Sequence, residues 1–93
     1  MNLKDTVSIV TGSSSGVGAA TVKMIVARGG KVVINFSRSS DAAKKIADEC
    51  ETLGGQVLLC QADVSKDEDC RRMVDEALKK WGRLDVLVNN AGT

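Results

Sequence analysis

Four short apolar runs are spaced along the chain, and each is rich in residues that favour extended backbone. Such runs predict β-strands when turn residues bound them. The predicted strands are 6–10, 31–36, 56–61 and 84–90. Their near-continuous apolar character is typical of strands that are covered on both faces of a sheet.

The segments between these runs have the periodicity of helices. Residues 16–28 are apolar on most sides, which predicts a helix largely covered by other elements. In 41–53 and 65–81 the apolar residues instead form one stripe, which predicts the core-facing side. The first stripe is Ala43, Ile46, Ala47 and Cys50, and the second is Cys70, Met73, Val74, Ala77, Leu78 and Trp81.

The start of the third predicted helix has the sequence S-K-D-E at 65–68. This spacing predicts a capping box, in which the Ser65 hydroxyl accepts a hydrogen bond from the backbone N–H of Glu68. On the helices, the charged pairs 44–45 and 71–72 are expected to be solvated.

The order of elements is β-α-β-α-β-α-β, which predicts an α/β fold. Strands joined by helices of this length pair in parallel through right-handed crossovers. We therefore expect a Rossmann-type, doubly wound parallel sheet in the strand order 3-2-1-4, with the fourth strand at an edge. An apolar strand left at an edge invites further pairing.

Composition limits the functions that the chain can perform. The 93 residues form at most one small domain, and a net charge of +1 gives no reason to expect nucleic acid or an anionic membrane as a partner. No apolar run approaches the ~20 residues that span a bilayer, and the N-terminus lacks a signal-peptide pattern, so a cytoplasmic location is expected.

The residue types that are missing, or present in small number, narrow the chemistry further. The absence of His excludes Ser–His and Cys–His catalysis within this chain. The three cysteines, ten residues apart, match no zinc pattern, so no metal site is predicted. Reduced, buried thiols are expected instead.

The stretch T-G-S-S-S-G-V-G at 11–18 lies between a predicted strand and a predicted helix. Gly12 permits a sharp exit from the strand, Gly16 lets a ligand approach the backbone, and Gly18 lets the helix lie close to the sheet. Unpaired N–H groups at a helix start suit a pyrophosphate. The hydroxyls of Ser13, Ser14 and Ser15 add donors, and Val17 is included among the residues expected to bind the ligand. The alternative is a flexible turn with an N-cap serine.

Polar residues follow the predicted strands where each one ends. They are Thr11, Ser37 with Arg38, Asp63, and Asn89 with Asn90. The carboxyl ends of parallel strands share one edge of the sheet, and open α/β sheets bind their ligands outside that edge. The sequence therefore predicts one ligand site there.

In these motifs the chain resembles the short-chain dehydrogenase/reductase family. Thr11, Gly12, Gly16 and Gly18 match the family's T-G-x-x-x-G-x-G turn, Asp63 and Val64 match its Asp-Val pair, and 89–92 match its N-N-A-G segment. The chain is also similar to the N-terminal part of β-ketoacyl carrier-protein reductases. The resemblance implies that 1–93 are the dinucleotide-binding half, the first four strands of a seven-stranded fold, and that the catalytic half is absent.

The resemblance also implies roles for the remaining strand-end residues. Asp63 would accept from the adenine amino group, with the Val64 backbone beside it, and Asn90, Ala91 and Gly92 would lie against a ribose. Asn89 is expected to join neighbouring strands. The alternative for Asp63 is a turn-forming residue before Ser65, and both roles could hold.

The form of the cofactor depends on the end of the second strand. Phe36 stands where family members that use NAD carry Asp, and Ser37 and Arg38 follow it. A guanidinium can pair with a 2′-phosphate through two hydrogen bonds. We therefore expect NADP(H) rather than NAD(H). Many NADP-using relatives carry Arg where this chain has Ser15, so the phosphate would depend on Arg38. The alternative is that Arg38 is a solvated loop charge.

Family catalysis uses Ser and a Tyr-x-x-x-Lys motif, with an upstream Asn, all beyond the N-N-A-G segment. This chain has no Tyr, so no catalytic residue is assigned and 1–93 alone are expected to be inactive. The resemblance implies an oxidoreductase acting on a carbonyl or alcohol, with a 3-oxoacyl thioester as the leading candidate substrate, and a homo-oligomer when complete. The alternatives are a non-catalytic NADP(H)-binding or regulatory module and an epimerase-type nucleotide binder.

Overall fold

A computed structural model describes residues 3–12, 16–38 and 40–89. In these residues strands and helices alternate, as the sequence predicted. The strands are β1 (Val7–Val10), β2 (Lys31–Phe36), β3 (Val57–Gln61) and β4 (Val86–Val88), and the helices are α1 (Gly16–Ala27), α2 (Ser40–Thr52) and α3 (Asp67–Trp81).

The strands form one parallel sheet in the order β3-β2-β1-β4. The predicted fold class and strand order are therefore confirmed, and β4 lies at an edge. Since the strands are parallel, the segments that follow them all leave the same side of the sheet. This carboxyl edge receives the turn after Val10 and the segments after Phe36, Gln61 and Val88.

Helices cover both faces of the sheet. Alternate side chains of a strand point to opposite faces. Val10 and Ile34 accordingly pack with α1 and α2, while Ile9 and Val33 pack with Met73 and Ala77 of α3. All four residues of β1 are buried, because this strand lies between β2 and β4 and has a helix layer on each face.

The predicted capping box does not form. Helix α3 begins at Asp67 with Lys66 as its N-cap, and that position makes no side-chain capping hydrogen bond. The Ser65 hydroxyl instead donates to Asp63 Oδ1 at 2.6 Å. Asp63 Oδ1 also accepts a hydrogen bond from the backbone N–H of Ser65. The resulting local turn holds the Ser65 hydroxyl away from the start of the helix.

The apolar stripe of α3 is only partly buried. Met73 and Ala77 are buried and Val74 and Trp81 pack against them, but Leu78 is 44% exposed. The prediction of a core position is wrong for Leu78, and that of a buried thiol is wrong for Cys70, which is half-buried. Positions 70, 74 and 78 follow one side of the stripe, and Cys70 and Val74 line a cavity with Leu87 of the edge strand, which is 62% exposed. In the described part of the chain nothing covers that side.

The stripe of α2 is buried at all four predicted positions. Among the described residues, the helices are too short or too polar to cross a lipid bilayer.

Candidate functional site

The glycine turn opens the carboxyl edge between β1 and α1. Gly12 and Gly16 both have a φ of +59°, in the left-handed region that L side chains rarely adopt, which explains glycine at both positions. A Cβ at Gly16 would meet nothing within 4 Å, so the space in front of this residue is open. Gly18 is buried, and Val17 is 74% exposed. Ser14 and Ser15 lie outside the described residues.

The start of α1 is electropositive. The first N–H groups of a helix have no intrahelical partner and carry partial positive charge. The first turn of α1 has no acidic residue that would offset this charge. The end of the helix that faces the open turn is therefore suited to an anionic group.

The amide of Asn35 in β2 contacts Gly12 and Ala62 and so joins three segments. Its Oδ1 accepts from the backbone N–H of Gly12 at 3.1 Å, and its Nδ2 donates to the carbonyl oxygen of Ala62 at 3.1 Å. The side chain is only 2% exposed. Sequence analysis did not single out Asn35. The sequence did contain a signal for this residue, because Asn35 is the one polar side chain in the apolar run 32–36 of β2.

Thr11 joins the end of β1 to the end of β4. Its backbone N–H donates to Val88 O at 2.9 Å, and its hydroxyl lies 3.1 Å from Asn89 Oδ1, to which it donates. Asn89 thus joins neighbouring strands, as expected. Asn90, Ala91 and Gly92 lie outside the described residues, so their predicted contacts with a ribose stay predictions.

The ends of β2 and β3 bring Ser37 and Arg38 next to the segment of Asp63. The carbonyl oxygen of Phe36 accepts from the Ala62 N–H at 2.9 Å, and that of Ser37 accepts from Gln61 Nε2 at 3.2 Å. These two contacts hold the loop of Arg38 beside the exit of β3. Ser37, Arg38 and Asp63 are all exposed and can reach a ligand.

The pKa of Asp63 is lowered from its ordinary value. The hydroxyl of Ser65 is the largest cause, the Ser65 backbone N–H adds to the effect, and the positive charges of Lys66 and then Arg38 act in the same direction. Asp63 is therefore a carboxylate at neutral pH and can accept hydrogen bonds from a ligand. Its Oδ1 also accepts the two hydrogen bonds of the turn that the alternative interpretation expected, so one side chain combines a structural contact with an exposed carboxylate.

Arg72 is not merely a solvated charge, as was expected of the 71–72 pair. Its Nη2 donates to the carbonyl oxygen of Gln61 at 2.6 Å, which joins α3 to the end of β3. Arg71 does lie in solvent, paired with Asp67 one turn away. The difference arises because Arg72 lies within reach of the backbone carbonyl at the end of β3, which is an edge strand of the sheet.

A cavity of about 350 Å³ extends from this edge between the sheet and α3. Val64, Met73 and Leu87 supply apolar walls, and Thr11 and Asn89 supply polar ones. Val64 is partly buried there. The edge as a whole can hold an anion at the start of α1, a second negative charge at Arg38, and a hydrogen-bond donor at Asp63.

Comparison with known proteins relates this geometry to a family. Residues 6–93 match the family model described as short chain dehydrogenase. A short-chain dehydrogenase/reductase of Pestalotiopsis microspora is 44% identical over 92% of this chain and 32% of its own length. A Streptomyces violaceoruber protein named as a ketoacyl reductase of the granaticin polyketide synthase is 46% identical over 92% of this chain and 33% of its own.

A similar fold occurs in a solved 7α-hydroxysteroid dehydrogenase, whose structure contains NADH and 7-oxo glycochenodeoxycholic acid. The TM-score is 0.91 at 35% sequence identity, over 99% of this chain and 36% of that one. The chain thus spans about a third of the length of the relatives that it matches. From its sequence and its fold, the chain belongs to the short-chain dehydrogenase family.

Proposed function

We propose that the protein is an NADP(H)-dependent short-chain oxidoreductase, and that residues 1–93 are its N-terminal, dinucleotide-binding half. One observation carries the proposal. At a single edge of the parallel sheet, the open turn at Gly16 and the helix start face the same side as Arg38 and Asp63. A dinucleotide with a 2′-phosphate needs these groups: a pyrophosphate site, a second cation and an acceptor for adenine.

The described residues fit such a cofactor in both space and charge. A Cβ at Gly16 would project into open space, which leaves the backbone free for a phosphate to approach. The N–H groups of 14–18 would bind the pyrophosphate, with the hydroxyls of Ser14 and Ser15. Gly12 contributes through its backbone conformation instead, because its own N–H already donates to Asn35.

The other end of the cofactor would lie across β2 and β3. Ser37 and Arg38 would bind the 2′-phosphate, and Asp63 with the Val64 backbone would bind the adenine. Asn90, Ala91 and Gly92 would contact the ribose. The nicotinamide supplies hydride transfer when bound. The residues of this chain bind and orient the cofactor, and the groups that move the substrate proton belong to the remainder of the protein.

The substrate class proposed is a carbonyl compound or the corresponding alcohol, with a 3-oxoacyl thioester as the leading candidate. The relative named as a ketoacyl reductase supports this choice. We place the complete protein in the cytoplasm as a homo-oligomer. NAD(H) is the less favoured cofactor, because positions 36–38, at the end of β2 and just after it, hold no carboxylate to accept from a ribose 2′-hydroxyl.

A binding or regulatory module without catalysis is the second candidate. The family's catalytic Tyr lies beyond the N-N-A-G segment, so the absence of Tyr from 1–93 fits this module and the enzyme alike. A Tyr-x-x-x-Lys motif downstream of Gly92 in the same reading frame would decide for the enzyme.

The cofactor assignment is tested by Arg38→Asp, with dissociation constants of NADPH and NADH measured by fluorescence titration. A charge-assisted hydrogen bond is worth about 1.5–3 kcal/mol, so NADPH affinity is expected to fall about tenfold or more, while NADH affinity changes little. Arg28→Asp makes the same charge change at the end of α1, away from the site, and should leave both constants unaltered. An unchanged NADPH/NADH ratio in Arg38→Asp would contradict the assignment.

A further inference from the structure

The side chain of Asn35 contacts both Gly12 of the glycine turn and the segment after β3. Within the described residues it spans β2, which lies between β1 and β3. On one side it accepts from the Gly12 N–H, and on the other it donates to the Ala62 carbonyl, 3.1 Å in each case. Nδ2 also lies 3.5 Å from the carbonyl oxygen of Cys60.

Only a neutral amide of this size can make both contacts. Its carbonyl oxygen accepts and its NH2 group donates, whereas a carboxylate lacks the donor and an aliphatic side chain lacks both. The site is buried, so loss of the amide would leave the Gly12 N–H and the Ala62 carbonyl without their partner. Gly12, whose N–H makes this contact, has a left-handed backbone conformation with a φ of +59°.

The two contacts lie next to the two ends of the proposed binding site. Gly12 begins the turn that leads to the N–H groups at the start of α1. Ala62 directly precedes Asp63, the proposed adenine acceptor. One side chain, buried where no bound molecule would touch it, thus bonds directly to both parts of the edge, in addition to the pairing of the strands.

We propose that Asn35 is a positioning residue that sets the spacing between the pyrophosphate end and the adenine end of the cofactor site. The inference rests on the proposed function, since it needs a ligand that engages both ends together. Tight binding of such a ligand requires both ends to be held in the correct relative position beforehand. A ligand that engages one end alone does not depend on that spacing.

The test compares NADPH with adenosine 2′,5′-bisphosphate, which carries only the adenine end. The variants are Asn35→Leu, close in size but without hydrogen bonds, and Asn35→Ser, a smaller polar residue that cannot reach both partners. Both are made in the protein at its natural length, and dissociation constants are measured by isothermal titration calorimetry on samples shown to be folded. NADPH affinity is expected to fall about tenfold, with the affinity for the bisphosphate changed by less than about threefold.

Thr6→Val is the matched control. The Thr6 hydroxyl is also buried and donates to a backbone carbonyl, that of Leu3 at 2.6 Å, but at the opposite edge of the sheet. This variant should lose stability while the ratio of the two affinities stays at the wild-type value. A residue that acts only in the fold would behave like Thr6 and leave that ratio unmoved.

Each outcome bears on the inference. If the wild-type protein binds NADPH and a folded Asn35 variant binds it equally well, the inference fails and the proposed function stands. If both ligands weaken equally, or if neither variant folds, Asn35 acts through the fold alone and the inference is again overturned. If the wild-type protein binds no dinucleotide, the proposed function fails and the inference fails with it.

Discussion

Replacement of Gly55 by Ala tests how closely α1 and α2 pack around the turn that leads into β3. A Cβ at this position would lie 2.2 Å from Val26 Cγ1 and 2.9 Å from the carbonyl oxygen of Cys50. A comfortable carbon–carbon contact is about 3.5–4.0 Å, so the contact with Val26 is short by about 1.3 Å or more. Val26 is buried in the core between α1, α2 and the sheet, which leaves it little room to move.

The loss of stability expected for Gly55→Ala depends on which atoms must move to relieve the clash. Overpacking of a core costs about 1–3 kcal/mol. The Cys50 carbonyl is also the acceptor for the Gly55 N–H at 2.9 Å, so a backbone shift that relieves the clash strains this capping bond, worth about 0.5–1.5 kcal/mol. The lower entropy of the unfolded chain with Ala offsets about 0.4–1 kcal/mol, so we expect Gly55→Ala to reduce the free energy of unfolding by about 1–4 kcal/mol.

The adjacent glycine provides the control. Gly54 has a φ of +84° and a Cβ there would meet nothing within 4 Å, so Gly54→Ala tests backbone conformation without a clash. A left-handed L-residue costs about 1–2 kcal/mol. Because Ala lowers the conformational entropy of the unfolded chain, the substitution also stabilises the fold by about 0.4–1 kcal/mol. The net loss in the free energy of unfolding is therefore roughly 0–1.5 kcal/mol.

Urea unfolding followed by far-UV circular dichroism measures both variants. Gly55→Ala should be the less stable by about 2 kcal/mol, which corresponds to a melting temperature lower by about 8–16 °C for a domain of this size. Equal losses, or a larger loss for Gly54→Ala, would refute the packing argument at this turn.

Three further predictions concern polar groups in the sheet and beside it. Ser8 is fully buried and its hydroxyl has no partner in the part of the chain described, so Ser8→Ala should leave the urea midpoint unchanged or raise it, whereas a clear loss would reveal a missed partner. The hydrogen bond from Arg83 is the largest cause that lowers the pKa of Asp85 below 3.8. The Asp85 carboxylate therefore stabilises the fold above about pH 4, and this contribution is lost as the pH falls through the pKa of the folded state. Asp85→Asn should therefore make the acid loss of thermal stability shallower, and parallel pH profiles would contradict this. Burial, and then a hydrogen bond to Glu76, raise the pKa of Cys60 to about 12. The protonated thiol thus favours the fold fully below about pH 9, this contribution is lost between about pH 9 and 12, and Cys60→Ala should flatten the alkaline fall in stability.

The architecture was predictable because its signals are local. Apolar runs and glycines divide the chain into strands and helices, and the alternation of the two leaves few ways to order a parallel sheet. The structure follows that order, with element ends moved by only a few residues. The motif residues Gly12 and Asp63 reach the same edge because the carboxyl ends of parallel strands must.

The remaining features depend on contacts between distant residues. Asn35 finds partners 23 and 27 residues away, which no short motif encodes. The capping box failed because Asp63 competes for the Ser65 hydroxyl, and the outcome depends on the exact turn before α3. The stripe of α3 indicated an apolar side, but it could not show that Leu78 lies where the described chain provides no cover.

The central claim is that a dinucleotide binds at the carboxyl edge of the sheet. A titration of ¹⁵N-labelled protein with NADPH, followed through the backbone amide signals, tests it most directly. Saturable shifts are expected at Gly16 to Gly18, Arg38 and Asp63, while Arg28 at the far end of α1 stays unmoved. An absence of saturable shifts, or shifts confined to the opposite edge of the sheet, would contradict the account.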